Sequence, residues 1–323
     1  MKEPSNKIVS VVVVTCGIND YLRACLESVK EQSYSPLEII VIDNSLNQSF
    51  NQDIARSYPA VQLYSSPTNL FYCASLNKGI DLSQGSFVLC LNDDVILDKR
   101  FIEEALRGFF IDSRVGMVSG KILRSDRKTI DTAGLFLSLC RSAKERGYGL
   151  KDRGQFERAG FIFGVNGAVA FYRKEMLDEL NLNSEYFDSD FHFFYEDLDI
   201  AWRARRFGWK GYYIPQARAF HVRGGSVRKV CGRGKPYARR YLSDELHVDL
   251  IKNRYLAIIK NESWPDFLLR VPFIALYDFI VWIYLLFFKP KLAKTLLANL
   301  KYVRSAFKKR KFLADRLNFA RNK

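Results

Sequence analysis

The sequence of 323 residues lacks several features that would assign it to a common protein class. Its six cysteines form no CxxC pair, and most lie within apolar runs, where cysteine behaves as a small hydrophobic residue. We therefore expect a reduced, cytosolic environment. No segment of about 20 to 50 residues recurs, which excludes repeat architectures. The sequence also contains neither a Walker A motif nor GxGxxG.

An uninterrupted apolar run of membrane-spanning length is missing as well. Residues 267–288 are very apolar, but Arg270, Pro272 and Asp278 interrupt them, and the uncharged stretch after Asp278 has only ten residues. A spanning helix needs about 20 mostly apolar residues. We therefore favour a helix that lies in the membrane interface or re-enters it, and keep a true span and a buried core helix as alternatives.

Positive charge is present in excess and is unevenly placed. The formal net charge is +15, and residues 301–323 hold nine Lys and Arg against Asp315 alone, which leaves +8 in that segment. Such a tail suits lipid headgroups, nucleic acid or phosphorylated substrates. Because the charge follows the most apolar segment of the chain, we expect an anionic membrane surface and no nucleic acid.

Apolar, β-branched runs alternate with helical patterns through the first half of the chain. The run at 8–14 leads directly into a helical pattern rather than a signal-peptide cleavage site, so we interpret it as a buried strand. Further strands are predicted at 37–43, 61–65, 86–91, 115–120 and 209–215, a strand pair or platform at 160–173, and helices at 22–29, 74–82, 101–110 and from about 196 to a stop at Gly208. This alternation predicts an α/β fold with a doubly wound, mostly parallel sheet.

Polar residues follow three of the predicted strands. Thr15, Asp43 and the pair Asp93 and Asp94 stand where these strands end. Ligands bind beyond the carboxyl ends of the strands in sheets of this kind. The convergence of these side chains at one sheet edge is therefore the first indication of a functional site.

The sequence Asn-Asp-Asp at 92–94 is a candidate metal site. Paired carboxylates bind hard cations such as Mg²⁺ or Mn²⁺, and such a cation neutralises a diphosphate leaving group. His221, one of three histidines, is a candidate third ligand. Each of these two features also has an ordinary structural explanation. Asp often caps a helix, and a lone His often has only a structural role.

Acidic residues also begin the helix predicted from about 196. Glu196 and Asp197 stand in its first turn, where the helix dipole favours negative charge. A carboxylate at this position is equally a candidate general base for an acceptor hydroxyl. Direct attack assisted by one such base inverts the configuration of the reacting carbon.

The chain divides into two predicted regions. Residues 1–240 form the α/β catalytic domain, which ends in a basic, glycine-containing loop at 228–240. Residues 241–323 form a helical region that is first apolar and then basic. The tryptophan and tyrosine rings and the cationic tail of this second region predict association with a membrane interface.

Taken in order, these stretches resemble the family 2 inverting glycosyltransferases of GT-A fold, and within them the bacterial rhamnosyltransferase-like members. The resemblance covers roughly residues 8–226 and is carried by VSVVVVTCG, LEIIVIDNS, NLFYCASLNKGI, FVLCLNDDV, FGVNGAVAFYRKEML, FDSDFHFFYEDLDIAWRARRFGWK and FHVRGGS. Two stretches depart from the usual pattern, namely Cys16-Gly17 within the first motif and the bulkier segment 71–75 within the third, which is usually rich in glycine.

The resemblance implies a role for each site residue. The donor-binding residues would be Thr15, Asp43, Asn77 and Asp93; the metal ligands would be Asp94 and His221; the catalytic residues would be Asp197, as the base, and Glu196; Trp202 would support the acceptor. Arg203 and the loop at 223–240 would contact phosphates. The implied cofactor is Mg²⁺ or Mn²⁺.

The implied reaction is transfer of a hexose from a UDP- or dTDP-linked donor to a saccharide acceptor in cell-surface polysaccharide synthesis. An acceptor on a polyprenyl diphosphate lipid would explain the apolar and basic C-terminal region. We therefore expect a peripheral or monotopic protein at the cytoplasmic face of the inner membrane. A nucleotidyltransferase and a basic protein that binds membrane or nucleic acid are the alternatives.

Overall fold

A computed structural model describes residues 7–17, 20–223 and 243–321 of the protein. Within these ranges the strands are β1 Val9–Thr15, β2 Leu37–Asp43, β3 Val61–Ser65, β4 Phe87–Asn92, β5 Val95–Leu97, β6 Val115–Arg124, β7 Ile130–Thr132, β8 Leu135–Leu137, β9 Ala143–Glu145, β10 Gly160–Ile162, β11 Val169–Arg173 and β12 Lys210–His221. The helices are α1 Asp20–Lys30, α2 Gln48–Ser57, α3 Phe71–Leu82, α4 Phe101–Gly108, α5 Lys174–Leu180, α6 Glu196–Arg206, α7 Asp244–Asn261, α8 Trp264–Phe288, α9 Pro290–Ala298 and α10 Lys301–Arg321.

The main sheet has the strand order β10-β12-β6-β11-β4-β1-β2-β3. Strands β3, β2, β1, β4, β6 and β12 run in the same direction, and β11 lies antiparallel between β4 and β6. Helices cover the sheet, and apolar side chains form a core on each of its faces. The prediction of an α/β fold with a mostly parallel sheet is confirmed.

The segment at 160–173 forms two strands that lie far apart in the sheet. Strand β10 pairs with β12 at the edge, and β11 is inserted in the middle between β4 and β6. The two strands are therefore not paired with each other. The turn between them reaches the carboxyl end of β4, where the nitrogen of Asn92 donates to the carbonyl oxygen of Ala168 at 3.0 Å.

The C-terminal helices α7 and α10 pack directly against the rest of the chain, in a core that they share with the main sheet. Leu256 and Ala257 of α7 and Ala306 and Leu313 of α10 are buried in the same core as one face of the sheet. The boundary at residue 240 stays a prediction, and the basic loop at 228–240 lies outside the described residues.

Helix α8 is one continuous apolar helix of 25 residues that remains mostly uncovered. Only Ile274 and Leu285 are buried, and 11% of its most apolar 18-residue window, of hydropathy 2.1, is buried. The alternative of a buried core helix is therefore wrong. The three charged side chains within it are paired, since Asp278 pairs with Arg254 of α7 at 2.6 Å and Arg270 pairs with Asp266 of α8 itself at 2.7 Å. By length and composition α8 is able to cross a membrane.

Candidate active site

A cleft of about 570 Å³ opens at the carboxyl ends of β1 and β4. It brings together six of the residues predicted from the sequence: Thr15, Asp93, Asp94, Glu196, Asp197 and His221. The parallel direction of β1 and β4 explains the first three, because both strands end at the same sheet edge. Glu196 and Asp197 of α6 and His221 of β12 are distant from these strands in the sequence. The packing of their elements against the sheet brings them to the cleft.

Asp93 and Asp94 point to different partners. The Thr15 hydroxyl donates to Asp93 Oδ2 at 2.7 Å, which holds this carboxylate against the end of β1. Asp94 Oδ1 lies 3.2 Å from Nε2 of His221. His221 ends β12, which pairs with Val95 of β5, so the strand pairing itself places the imidazole beside Asp94.

His221 is held from its other side by Asp131. Nδ1 of the imidazole lies 2.9 Å from Asp131 Oδ2, and Arg223 contacts the other oxygen of this buried carboxylate. Burial lowers the pKa of His221, but hydrogen bonds to Asp131 and Asp94 outweigh that effect and raise the pKa to about 9. The imidazole is therefore fixed in orientation by two carboxylates.

Asp94 and His221 fit a divalent cation, which would displace the proton that Nε2 of His221 holds against Asp94. Metal-binding imidazoles usually donate their second N–H to a carboxylate, as His221 does to Asp131. Among residues 7–17, 20–223 and 243–321, no three His, Cys, Asp or Glu side chains are grouped as ligands. Because Mg²⁺ commonly takes one or two carboxylates together with substrate phosphates, this incomplete set suits a cation shared with a diphosphate.

Asp197 is held at the mouth of the cleft by main-chain donors. Its Oδ2 accepts from Gly167 N at 3.0 Å, and its Oδ1 accepts from Leu198 N at 2.7 Å. Burial raises the pKa of Asp197, and these N–H groups only partly oppose the rise. Burial and the charge of Asp197 likewise raise the pKa of Glu196, whose Oε2 accepts no hydrogen bond from the described part of the chain.

One turn joins the candidate base to the acid pair. Gly167 donates to Asp197, while its carbonyl oxygen accepts from the Tyr72 hydroxyl at 3.0 Å. The same hydroxyl also lies 2.8 Å from Asn92 Oδ1, so its single hydrogen is shared between these two acceptors. A Cβ atom on Gly167 would lie 2.9 Å from Glu196 Oε1, so a larger residue here would push the Glu196 carboxylate aside. The two halves of the site are thus one hydrogen-bonded unit.

Three aromatic residues that line the cleft have unfavourable backbone conformations. Phe71, Phe194 and Tyr195 line it with φ of +59°, +67° and +69°, values that are unfavourable for residues other than glycine. Asn253 of α7 donates from Nδ2 to the carbonyl oxygens of Phe193 at 2.6 Å and Phe194 at 2.9 Å. The strained segment that enters α6 is therefore held by a helix of the C-terminal region.

Two predicted donor residues lie outside the cleft lining. Asp43 is buried beside it and accepts from Ser45 N at 2.7 Å and Ser45 Oγ at 3.0 Å, while Asn44 takes the lining position. Asn77 is bound to the main chain of Phe187, donating to its oxygen at 2.8 Å and accepting from its nitrogen at 2.7 Å. Their roles in donor binding stay predictions.

Two predicted residues of α6 face away from the cleft. Trp202 is buried with the Arg141 guanidinium 5.4 Å from its ring, and its acceptor role stays a prediction. The prediction that Arg203 contacts phosphates is wrong, because this side chain is fully buried. It pairs with Asp199 at 3.0 Å and donates to the carbonyl oxygen of Leu180 at 2.8 Å. Of the predicted phosphate loop, residues 224–240 lie outside the described part of the chain.

Sequence reasoning missed several residues of the site. Asp131, Glu145 and Asn166 all stand in or beside short strands and turns, where polar residues are common and carry no local pattern. Tyr72 was noted in the sequence only as one of the bulky residues of segment 71–75 and was assigned no role. The one usable signal was Asn166-Gly167, a turn dipeptide between two apolar stretches.

The sequence profile of Glycosyl transferase family 2 matches residues 10–180 of this chain. The amylovoran biosynthesis glycosyltransferase AmsB of Erwinia amylovora is 25% identical over 235 residues, which cover 68% of this chain and 72% of AmsB. The N-acetylglucosaminyl-diphospho-decaprenol L-rhamnosyltransferase of Mycobacterium tuberculosis is 23% identical over 249 residues, which cover 68% of this chain and 78% of that protein. EpsH of Bacillus subtilis is 28% identical over 102 residues, and the chain spans 29% of its length.

Among solved structures, the mannosyltransferase PcManGT from Pyrobaculum calidifontis, in complex with GDP-Man and Mn²⁺, has the same fold with a TM-score of 0.56. The identity is 17%, and the match covers 98% of this chain and 82% of that chain. The fold is therefore GT-A, as predicted from the sequence. Since the family profile also matches more than half of the chain, this protein belongs to glycosyltransferase family 2.

Proposed function

We propose that this protein is an inverting, metal-dependent glycosyltransferase of bacterial cell-surface polysaccharide synthesis. It transfers a sugar from a UDP- or dTDP-linked donor to a saccharide acceptor on a polyprenyl diphosphate lipid. One observation carries the proposal, namely that the Asp197 carboxylate lines the same cleft as the pair Asp94 and His221.

Asp197 acts as the general base. Its carboxylate takes the proton from an acceptor hydroxyl, the hydroxyl oxygen bonds to the anomeric carbon, and the bond from that carbon to the diphosphate breaks. A single displacement of this kind inverts the anomeric configuration. Burial moves the pKa of Asp197 upward, toward the range in which a base is most effective. Glu196, beside it, supports the acceptor.

Asp94 and His221 would hold the cation, Mg²⁺ or Mn²⁺. When bound, the cation neutralises charge that develops on the leaving diphosphate. Thr15 orients Asp93 beside this pair through the hydrogen bond of 2.7 Å. The mannosyltransferase of similar fold was solved with GDP-Man and Mn²⁺, which supports a nucleotide-sugar donor and a divalent cation here.

The lipid-linked acceptor rests on two observations. The mycobacterial relative is named for an acceptor on decaprenyl diphosphate. Helix α8 exposes a long apolar surface, and basic side chains are exposed on α9 and α10. We propose that these helices place the cleft at the cytoplasmic face of the inner membrane, where α8 lies in the interface.

Calorimetric titration with UDP-, dTDP- and GDP-sugars, in Mn²⁺ and in EDTA, tests the donor and the metal. We expect one donor to bind in Mn²⁺ and to lose at least about tenfold in affinity in EDTA or in Asp94→Ala, because the diphosphate then faces carboxylates without a cation. Asp98→Ala is the matched control, since Asp98 is exposed after the next strand, β5. Folded protein that binds none of these donors would contradict the proposal.

A further inference from the structure

One wall of the cleft is formed by a hairpin that stands apart from the main sheet. Strands β8 and β9 pair with each other, with Leu135 opposite Glu145. Leu135, Ala143 and Glu145 of this hairpin line the cleft. Two of these side chains are apolar, so Glu145 is the polar group that this wall presents. Neither the metal site nor the base uses it.

The Glu145 carboxylate is held firmly at one oxygen. Oε1 accepts from Nδ2 of Asn166. Asn166 is itself fixed, because its Oδ1 accepts from Ala168 N at 2.9 Å. The carboxylate is therefore bound to a side chain that the main chain of the turn at 166–168 holds in place.

The other oxygen of Glu145 is left without a hydrogen bond. Oε2 is shielded from bulk solvent and has no hydrogen-bond partner among residues 7–17, 20–223 and 243–321. The Thr132 hydroxyl also interacts with the Glu145 carboxyl group and opposes part of the rise in its pKa, while its hydrogen bond of 3.4 Å goes to the carbonyl oxygen of Gly134. A buried oxygen of this kind is costly unless a ligand or water satisfies it.

Glu145 and the proposed base Asp197 accept hydrogen bonds from two consecutive residues of one turn. Asn166 binds Glu145, and Gly167 N donates to Asp197 Oδ2 at 3.0 Å. The two carboxylates are close enough to interact, since burial chiefly, and the charge of Asp197 in addition, raise the pKa of Glu145 to about 7. The hydroxyl that Asp197 deprotonates must enter this same part of the cleft.

We propose that Oε2 of Glu145 accepts a hydrogen bond from a second hydroxyl of the acceptor sugar, adjacent to the hydroxyl that attacks. This makes Glu145 a specificity-determining residue for acceptors with two neighbouring free hydroxyl groups. The inference rests on the proposed function, because it requires a saccharide acceptor in front of Asp197. Thr15 and Asp93, which are predicted to bind the nucleotide-sugar donor, lie at the ends of β1 and β4 and not on this hairpin. Glu145 is therefore assigned to the acceptor and not to the donor.

The test combines Glu145→Gln with acceptors that lack single hydroxyls. The probe is N-acetylglucosamine diphosphate carried on a short alkyl chain, with each free hydroxyl removed in turn, and kcat/KM is measured with the donor found by calorimetry. Gln retains an oxygen that accepts from Asn166, but it replaces the free oxygen by an amide nitrogen. Lys144→Ala, an exposed change in the same hairpin, is the control.

At a pH above the pKa of about 7, where Glu145 is ionised, we expect loss of one hydroxyl to lower kcat/KM of the natural enzyme by about 10- to 100-fold, the usual effect of losing a hydrogen bond to a charged group. With the intact acceptor, kcat/KM of Glu145→Gln should be lower by a similar factor. Removal of the same hydroxyl should then cause almost no further loss of kcat/KM in this variant. Its donor affinity should equal that of the natural protein and of Lys144→Ala.

The other outcomes separate the two proposals. If Glu145→Gln is as sensitive to every hydroxyl as the natural enzyme, Glu145 only positions Asn166, and the specificity assignment is overturned. Loss of donor affinity in Glu145→Gln overturns it as well, because the residue would then serve the donor. If the natural enzyme transfers sugar to none of these acceptors, the proposed acceptor class fails, and the role of Glu145 fails with it.

Discussion

At the scale of single residues, the candidate site depends on side chains whose partners fix their orientation. His221 is held between Asp94 and Asp131, and Thr15 holds Asp93. Asp197 is the exception, because main-chain N–H groups of Gly167 and Leu198 hold it. Main-chain donors leave the carboxylate ionised and do not compete with it for protons, which suits a residue that must accept one.

Asp197→Asn should abolish transfer while leaving donor binding intact. The amide is the same size but does not accept a proton, so we expect kcat to fall by at least about a hundredfold, within the range usual for loss of a general base. The measurement is transfer rate beside calorimetric donor affinity.

The pH profile gives a second check on Asp197. Burial raises the pKa of Asp197 above its ordinary value, and the carboxylate can accept a proton only above that raised pKa. The value of kcat should therefore fall as pH falls through the raised pKa of Asp197. Asp178→Asn, an exposed change in α5, is the control. Normal turnover in Asp197→Asn would contradict the assignment of the base.

At the scale of elements, the C-terminal helices form part of the catalytic unit. Lys260 of α7 and Lys309 of α10 both contact Asp188, in the segment that precedes α6. Burial alone would raise the pKa of Asp188, but the two lysines outweigh burial and hold it well below its usual range. Lys309 belongs to the basic tail predicted from the sequence, so one charge of that tail faces the catalytic domain rather than a membrane.

Asn253→Ala should impair catalysis from outside the cleft. The substitution removes two hydrogen bonds that hold the strained segment at Phe193 and Phe194 before α6. We expect kcat to fall about tenfold with unchanged donor affinity, and the free energy of unfolding to fall by about 1–3 kcal/mol, roughly 0.5–1.5 kcal/mol per hydrogen bond.

Two further variants of α7 show whether the effect of Asn253→Ala is specific. Glu245→Ala is the control, because Glu245 is exposed in the first turn of the same helix. Asn253→Gln, which keeps the donor group, should recover part of the rate. Equal rates for the natural enzyme and Asn253→Ala would show that the fold holds the segment without this side chain.

At the scale of the whole molecule, apolar and basic surfaces lie on neighbouring helices. Helix α8 exposes Phe279, Phe287 and Phe288, and α9 and α10 expose Lys291, Lys294, Lys301, Arg304, Lys308 and Lys311. Each exposed cation near an anionic leaflet contributes about 1 kcal/mol to binding. The combination is typical of proteins that lie on a membrane.

The protein should therefore bind anionic vesicles and release partly in salt. We expect co-sedimentation with vesicles that contain phosphatidylglycerol, weaker binding at high ionic strength, and loss of binding in Phe287→Asp with Phe288→Asp. Leu150→Asp, at an exposed apolar residue of the catalytic domain, is the control. Alkaline carbonate should extract the protein from membranes if α8 lies in the interface; resistance to extraction would indicate a span instead.

Much of this molecule follows from local pattern in the sequence. Continuous β-branched runs can only be buried strands, and parallel strands bring their carboxyl ends to one edge, so Thr15 and Asp93 were predictable as neighbours. The acids of α6 were visible because they open a helix whose stop at Gly208, with φ of +80°, was also predictable.

Only the tertiary structure decided the partners of these residues. His221 meets Asp131 across 90 positions of the chain, and Asn253 meets Phe193 across 60. Arg203 resembles a phosphate ligand in the sequence, yet on the buried face of α6 it donates to the carbonyl oxygens of Leu180 and Tyr186. Glu145 carries no motif at all. Contacts between distant segments depend on how the elements pack, and a local pattern of residues does not encode that packing.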